Sequence, residues 1–304
     1  MSTYRGALED AGYVIIPDFV SRSDLDKIAS SLASFSDAGR NPQLAEVPDI
    51  AEVIFSPQML AIAAELLGGE PLAFPDHTFQ TVGGGFGYHK DSVDRWDPAG
   101  PDWSEVPYPM IRFGIYLEDF RHRSGSLAIQ PGSHRGVEYA RRAVNVKCQP
   151  GDLVAWYFTS THAANSPSAR LMPARAPRVV LNNNRVTRYT CSSSRSITGS
   201  AIGRRLVQPY TPTRRVLFFP YALPDRLVAR YLSLLVHRTY YQQILRDDPA
   251  KGAAPPAADG VEWVNPYPLL DRADPALITD GFYQQEASRA ADLLADEIWA
   301  EIRH

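Results

Sequence analysis

Between residues 71 and 190 the chain is a succession of short β-rich runs: Phe79–Val82, Ile111–Leu117, Leu127–Ile129, Val144–Lys147, Leu153–Phe158 and Val179–Leu181. Clusters of glycine, proline, asparagine and serine separate them, among them Gly83-Gly84-Gly85 and Pro131-Gly132-Ser133. Strands this short cannot close a core singly. Many of them, each followed by a turn signal, predict a mainly β core of the β-sandwich or jelly-roll kind.

The flanks read differently. Tyr13-Val14-Ile15-Ile16-Pro17 is a β-branched run ended by proline, a strand pattern. Ser21 and Ser23 precede Asp24–Ala29 as the cap of an amphipathic helix, and Met59, Leu60, Ile62, Ala63, Leu66 and Leu67 fall at helical spacing. After residue 200 the pattern is helical, with Asp225–Leu245 and Gln284–Ile302 as long candidates and the Ala- and Pro-rich Lys251–Gly260 as an exposed loop between them. No internal repeat interrupts this layout. The organisation predicted is one domain over 1–304, with a core at about 71–190 and a helical C-terminal extension or lid at about 200–304.

Composition narrows the function classes. The chain has 304 residues, 44% apolar and 21% charged, with a net charge of -3. That balance supplies no field for nucleic acid or an anionic membrane. Two cysteines, Cys148 and Cys191, are too few for a disulfide scaffold and read as free thiols. The N-terminus does not follow the signal-peptide pattern and no apolar run is long enough to span a bilayer. A cytoplasmic protein acting on a small molecule, with a homodimer as an open option, is the expectation.

Two segments carry chemistry. Phe86-Gly87-Tyr88-His89-Lys90-Asp91 lies just beyond the glycine-rich turn. On a strand, positions i and i+2 share a face, so His89 and Asp91 can converge on one point, a donor pair suited to Fe(II), Mn(II) or Zn(II). Gly151–Phe158 is an apolar strand, and Thr161-His162-Ala163-Ala164-Asn165 follows it to present His162. Alone, His-x-Asp is a weak signal. Two imidazoles and a carboxylate together leave open metal positions, as in non-haem iron oxygenases.

The company of these residues is more specific. Ile111–Asp119 is a strand ending in aspartate, and Ser124-Gly125-Ser126 precedes the apolar Leu127-Ala128-Ile129. Gln130-Pro131-Gly132-Ser133-His134-Arg135 closes it, and Gly151-Asp152 opens the next strand. From about residue 10 to 190 this succession resembles the phytanoyl-CoA dioxygenase family. The resemblance implies a double-stranded β-helix, cupin-like, with helical N- and C-terminal sections. It implies Fe(II) held by His89, Asp91 and His162, with 2-oxoglutarate and O2 as cosubstrates and succinate and CO2 as coproducts. The family places an arginine at the start of the strand after the distal histidine. Of Arg170, Arg175 and Arg178, Arg178 stands directly before Val179-Val180-Leu181 and is chosen; its planar fork suits a carboxylate. Thr161, Asn165 and Gln80 are supporting candidates at the cosubstrate. Asp91 stands where related halogenases have a small residue, so oxygenation is expected, most simply hydroxylation in a natural-product tailoring step.

Two other readings fit the same residues: a Zn or Mn cupin-like enzyme that uses no 2-oxo acid, and a non-catalytic jelly-roll module. Blander roles suit most of the rest. His134 closes a turn; His77, His122 and His237 are surface or satisfied core residues. Trp96 and Trp103 pack beneath the 92–109 insert or line a pocket. Tyr231, Tyr240 and Tyr241 pack on a helix, and Arg204-Arg205 and Arg214-Arg215 are solvated charge.

Overall fold

The computed structural model describes residues 3–37, 44–82, 88–95, 97–105, 107–122, 125–137, 142–164, 213–239, 241–242, 252–278 and 287–303. Among these described residues are eight strands: β1 (Tyr13–Ile16), β2 (Thr78–Val82), β3 (Met110–Tyr116), β4 (Leu127–Ile129), β5 (Val144–Asn145), β6 (Leu153–Tyr157), β7 (His162–Ala164) and β8 (Thr213–Ala222). The helices are α1 (Thr3–Ala11), α2 (Arg22–Asp37), α3 (Pro48–Ile54), α4 (Pro57–Leu67), α5 (Arg226–Val236), α6 (Ala287–Leu293) and α7 (Ala295–Ile302).

Every residue of β3 and of β6 is buried, which explains why these runs, Arg112 apart, are apolar instead of alternating. β3, β6 and β8 of the larger sheet have core on both faces. Ile111, Phe113, Ile115, Leu153, Ala155, Tyr157, Leu217, Phe219 and Tyr221 join one apolar cluster with the helices. Tyr116, Val154, Trp156, Val216 and Phe218 face the other way and meet Leu127 and Ile129 of the smaller sheet.

The larger sheet has the antiparallel order β1-β6-β3-β8-β2 and the smaller one β5-β4-β7. A reciprocal backbone pair, His89 with His162, adds one more rung beside β7. The chain therefore shuttles between layers: β2 in the large sheet, His89 in the small, β3 large, β4 and β5 small, β6 large, β7 small, β8 large. That winding is a jelly roll, left open rather than closed into one barrel.

Two strands of the larger sheet lie outside the expected 71–190 core. β1 is its edge, and β8 sits between β3 and β2 near its centre, so the section after residue 200 is not wholly helical. Pro220 hid β8 from sequence reading, because proline cannot donate to a ladder and is rare in central strands. Val179–Leu181 lies outside the described residues. The helix expected over Gln284–Ile302 is broken at Leu294, and Lys251–Gly260 is not simply an exposed loop: Gly252, Pro255 and Ala258 are buried.

Local signals set the helix ends. Ser56 Oγ accepts the Met59 N–H (3.2 Å), Pro57 takes the first turn, and Gly68 ends α4 in the left-handed region at φ +84°. Among the described residues no single helix is long and apolar enough to cross a membrane. The bent pair α3 and α4 together has the length, but Ile50, Ala51, Ile54, Met59, Ala63 and Leu66 are buried in the core.

Candidate metal centre

The site forms where the two sheets meet at one end of the jelly roll. The His89 and His162 backbones exchange hydrogen bonds of 2.9 and 2.8 Å. Just beyond, the Asp91 N–H donates to the Phe158 carbonyl at the end of β6 (2.8 Å). These ladders pin both sequence segments, and three side chains converge. His89 Nε2 lies 3.7 Å from Asp91 Oδ1, His162 Nε2 lies 3.8 Å from Asp91 Oδ2, and one ligand-type atom from each residue falls within 4.8 Å of the others. Such separations are too long for hydrogen bonds and fit donors that share an ion. Asp91 is 7% and His162 6% exposed, so an ion here is shielded from bulk water.

Protonation favours ligation. The Ser160 carbonyl, which can only accept, takes a hydrogen bond from His162 Nδ1 (3.0 Å), so the Nε2 lone pair faces Asp91. Burial, with His89 adding to it and Asp91 opposing, lowers the His162 pKa to about 3; the ring is neutral. Burial alone would raise the Asp91 carboxyl, but Arg112, His162 and His89 outweigh it and hold the group well below the usual carboxylate range. At neutral pH His162 is a neutral imidazole and Asp91 an anion, the states a divalent metal requires of its ligands.

The Pro131-Gly132-Ser133-His134 turn buttresses this end. Ser133 Oγ accepts the Thr161 N–H (2.8 Å), Gln130 N–H donates to the Thr161 carbonyl (2.9 Å), and the buried Lys90 Nζ donates to the Ser133 and Thr159 carbonyls, both at 2.6 Å. Lys90 points away from its ligand neighbours and ties the turn to the β6–β7 connection. His134 closes the turn, its Nε2 3.1 Å from the Glu9 carbonyl and its ring stacked on Tyr157. Gly125 is required for its own reason: its φ is +133°, and a Cβ there would come within 2.6 Å of Phe120.

The remaining candidates distribute unevenly. Thr161 is buried at the site and its backbone is fully used, while Oγ1 has no hydrogen-bond partner among the described residues. Gln80 stands on β2 opposite Val216 of β8. Arg170, Arg175, Arg178, Asn165, Trp96, Tyr240, Arg204, Arg205 and Cys191 lie outside the described residues. Trp103 packs under the insert, its Nε1 donating to the Asp94 and Asp97 carbonyls. His77 and His237 are satisfied: Nε2 of each accepts a backbone N–H, from Leu44 (2.9 Å) and Asp274 (3.2 Å). Arg215 is not solvated charge; it pairs with Glu118 at 2.7 Å.

Sequence reading missed a second layer behind the trio. Arg112, inside β3, faces Asp91, and Tyr231 and Tyr241 do more than pack: both hydroxyls donate to the buried Asp76. A lone arginine within the apolar run Ile111-Arg112-Phe113 was the available signal, since a buried guanidinium needs carboxylate partners.

No curated protein matches the chain significantly. Among solved structures, AviO1 from Streptomyces viridochromogenes Tue57 is 14% identical at a TM-score of 0.49, covering 73% of this chain and 94% of that one. EctD from S. alaskensis, with 2-oxoglutarate and 5-hydroxyectoine, is 15% identical at 0.48, over 73% and 76%. HygX from Streptomyces hygroscopicus, with nickel and 2-oxoglutarate bound, is 12% identical at 0.48, over 73% and 87%. Residues 8–170, more than half of the chain, match the family described as Phytanoyl-CoA dioxygenase (PhyH). On that match the chain belongs to the phytanoyl-CoA dioxygenase family of non-haem iron- and 2-oxoglutarate-dependent oxygenases.

Proposed function

We propose that His89, Asp91 and His162 hold one Fe(II), and that the protein couples conversion of 2-oxoglutarate and O2 into succinate and CO2 to oxidation of a C–H bond in a small molecule. Hydroxylation in a natural-product tailoring step is the simplest outcome. The observation that carries this reading is the convergence of two imidazoles and one carboxylate within 4.8 Å, with Asp91 and His162 buried. The donor set fits the group: hard oxygen and borderline nitrogen suit Fe(II), and no cysteine is among them. When bound, the iron supplies the oxidising power and the open positions for cosubstrate and O2.

The chain's own residues supply the rest. Ser160 orients His162, Phe158 and His162 anchor the ligand backbones, and Trp156, Val216 and Phe218 line the apolar interior beside His162. An apolar wall of this kind keeps water from reactive species.

For the far carboxylate of 2-oxoglutarate two arginines compete. Arg178 follows His162 in sequence and precedes a strand-like run. Arg214 stands at the start of β8, ahead of Val216 and Phe218 in the intersheet cluster, while its neighbour Arg215 is committed to Glu118. Arg214 is preferred as the candidate that stands on a described strand; Arg178 and Val179–Leu181 lie outside the described residues.

Anaerobic Fe(II) followed by 2-oxoglutarate should give the charge-transfer band of a chelated 2-oxo acid, and a metabolite panel should release succinate in air. Arg214→Ala should raise the 2-oxoglutarate KM by about 10-fold or more, the loss of a bidentate charged pair, with Arg178→Ala the smaller effect. A purified protein that holds zinc and ignores 2-oxoglutarate would sink the oxygenase reading.

A further inference from the structure

Arg112 lies inside the jelly roll, its Cα paired with Trp156 on one side and Pro220 on the other. Every nitrogen of its guanidinium is engaged. Nε faces Asp91 Oδ2 at 3.4 Å; Nη1 donates to the Asp76 carbonyl at 2.9 Å; Nη2 lies 2.8 Å from Asp76 Oδ2 and 3.3 Å from the Tyr231 hydroxyl. Its flat face covers the Phe158 ring, 4.5 Å from the centroid. Asp76 is held in turn by Tyr231 (2.6 Å) and Tyr241 (2.5 Å). With two carboxylates already matched to its single charge, this arginine is not an anion receptor for substrate or cosubstrate.

What it touches is one oxygen of one ligand. Asp91 Oδ1 faces His89, whereas Oδ2 is shared between His162 and Arg112. We infer that Arg112 is a positioning residue: it holds Oδ2 of Asp91 so that the carboxylate offers the metal a single oxygen, and Asp76, Tyr231 and Tyr241 lock Arg112 in that place. This rests on the iron and 2-oxoglutarate reading above. The consequence is a matter of counting. Two imidazoles and one oxygen leave just enough positions for a chelating 2-oxo acid and O2. An Asp91 that closed on the metal through both oxygens would occupy the position O2 needs. A buried guanidinium on Oδ2 prevents this at low cost, because its charge is already compensated by Asp76. The tyrosines come from α5 and just beyond it, so the C-terminal helices set the open position without touching the metal.

Nitric oxide, which binds where O2 would, reads this directly. Wild type, Arg112→Met, Tyr231→Phe and Tyr221→Phe are loaded anaerobically with Fe(II), then 2-oxoglutarate, then NO, and the high-spin iron–nitrosyl EPR signal is measured per iron bound. Tyr221 is the control: its buried hydroxyl donates to the Ile54 carbonyl at 2.7 Å and touches nothing in this network. Wild type and Tyr221→Phe should give the full signal with the 2-oxo acid band in place. Arg112→Met should keep the band and lose most of the nitrosyl signal, and Tyr231→Phe should lose part of it. A full signal in both variants overturns the inference. Should Arg112→Met fail to fold or to hold iron, Tyr231→Phe decides alone, a reduced signal supporting and a full one overturning. A wild type with no 2-oxo acid band removes the functional reading itself, and this inference with it, and is recognised from the wild-type arm alone.

Discussion

Two buried charge clusters lie a few residues apart in this molecule and are built on opposite principles. In the His89, Asp91 and His162 group the polar atoms face one another at 3.7 and 3.8 Å without bonding. Around Asp94 and Asp102 the gaps are closed. Arg230 Nη1 and Nη2 reach Asp94 at 2.6 and 3.1 Å, its Nε reaches Asp292 at 2.6 Å, and Asp102 accepts the Asp94 N–H (2.6 Å) and the Tyr108 hydroxyl (3.1 Å). Both clusters centre on buried carboxylates. Spacing separates them: one leaves room for a cation, and the other has consumed its charges in a clip that fastens the insert after the ligands to α5 and α6. Electrostatics agree. Burial and the adjacent Asp94 push the Asp102 carboxyl up to about 6 despite Arg230, whereas Asp91 is driven down.

That contrast can be broken in graded steps. The largest effect belongs to the clip. Arg230→Met leaves the buried Asp94 carboxylate without its cation and should cost about 3–5 kcal/mol in urea unfolding, the usual penalty for an orphaned buried charge, while the folded fraction keeps its iron. A loss too small to measure would show that the clip is ornamental. Next is Asp91→Ala. Outer-shell changes at metal sites cost about 10–100-fold in affinity, so removing a ligand should cost about 100-fold or more, with the apo unfolding midpoint nearly unmoved because Arg112 keeps Asp76. Iron retained at wild-type stoichiometry would take Asp91 out of the ligand set.

The smallest step uses a histidine that belongs to neither cluster. Burial lowers the His77 pKa to about 4 against the attraction of Asp76, and its Nε2 lone pair is already spent on the Leu44 N–H. Its folded value lies below the unfolded one of about 6.5, so its contribution to stability is complete above pH 6.5 and is lost as the pH falls towards 4. His77→Gln should flatten the apo melting temperature over that window relative to wild type, without changing metal content. An unchanged slope would mean that His77 is charged in the folded protein or does not titrate there.

The local rhythm of short apolar runs and turn clusters was enough to specify a two-layer β core, because inward residues, turns and helix caps are written within a few positions of one another. The same holds for the ligand types: an imidazole and a carboxylate two apart just past a glycine-rich turn, and a second imidazole just past an apolar strand, are chemistry visible in the chain. Tertiary structure alone decided the rest. It placed β8 inside the larger sheet, between β3 and β2, despite Pro220, and it joined Asp76 to Tyr241 across 165 positions and Asp94 to Arg230 across 136. It also turned Arg112 from an oddity within an apolar strand into a neighbour of Asp91. Pairings across such separations follow from how layers stack, and no local periodicity encodes which buried charge will meet which.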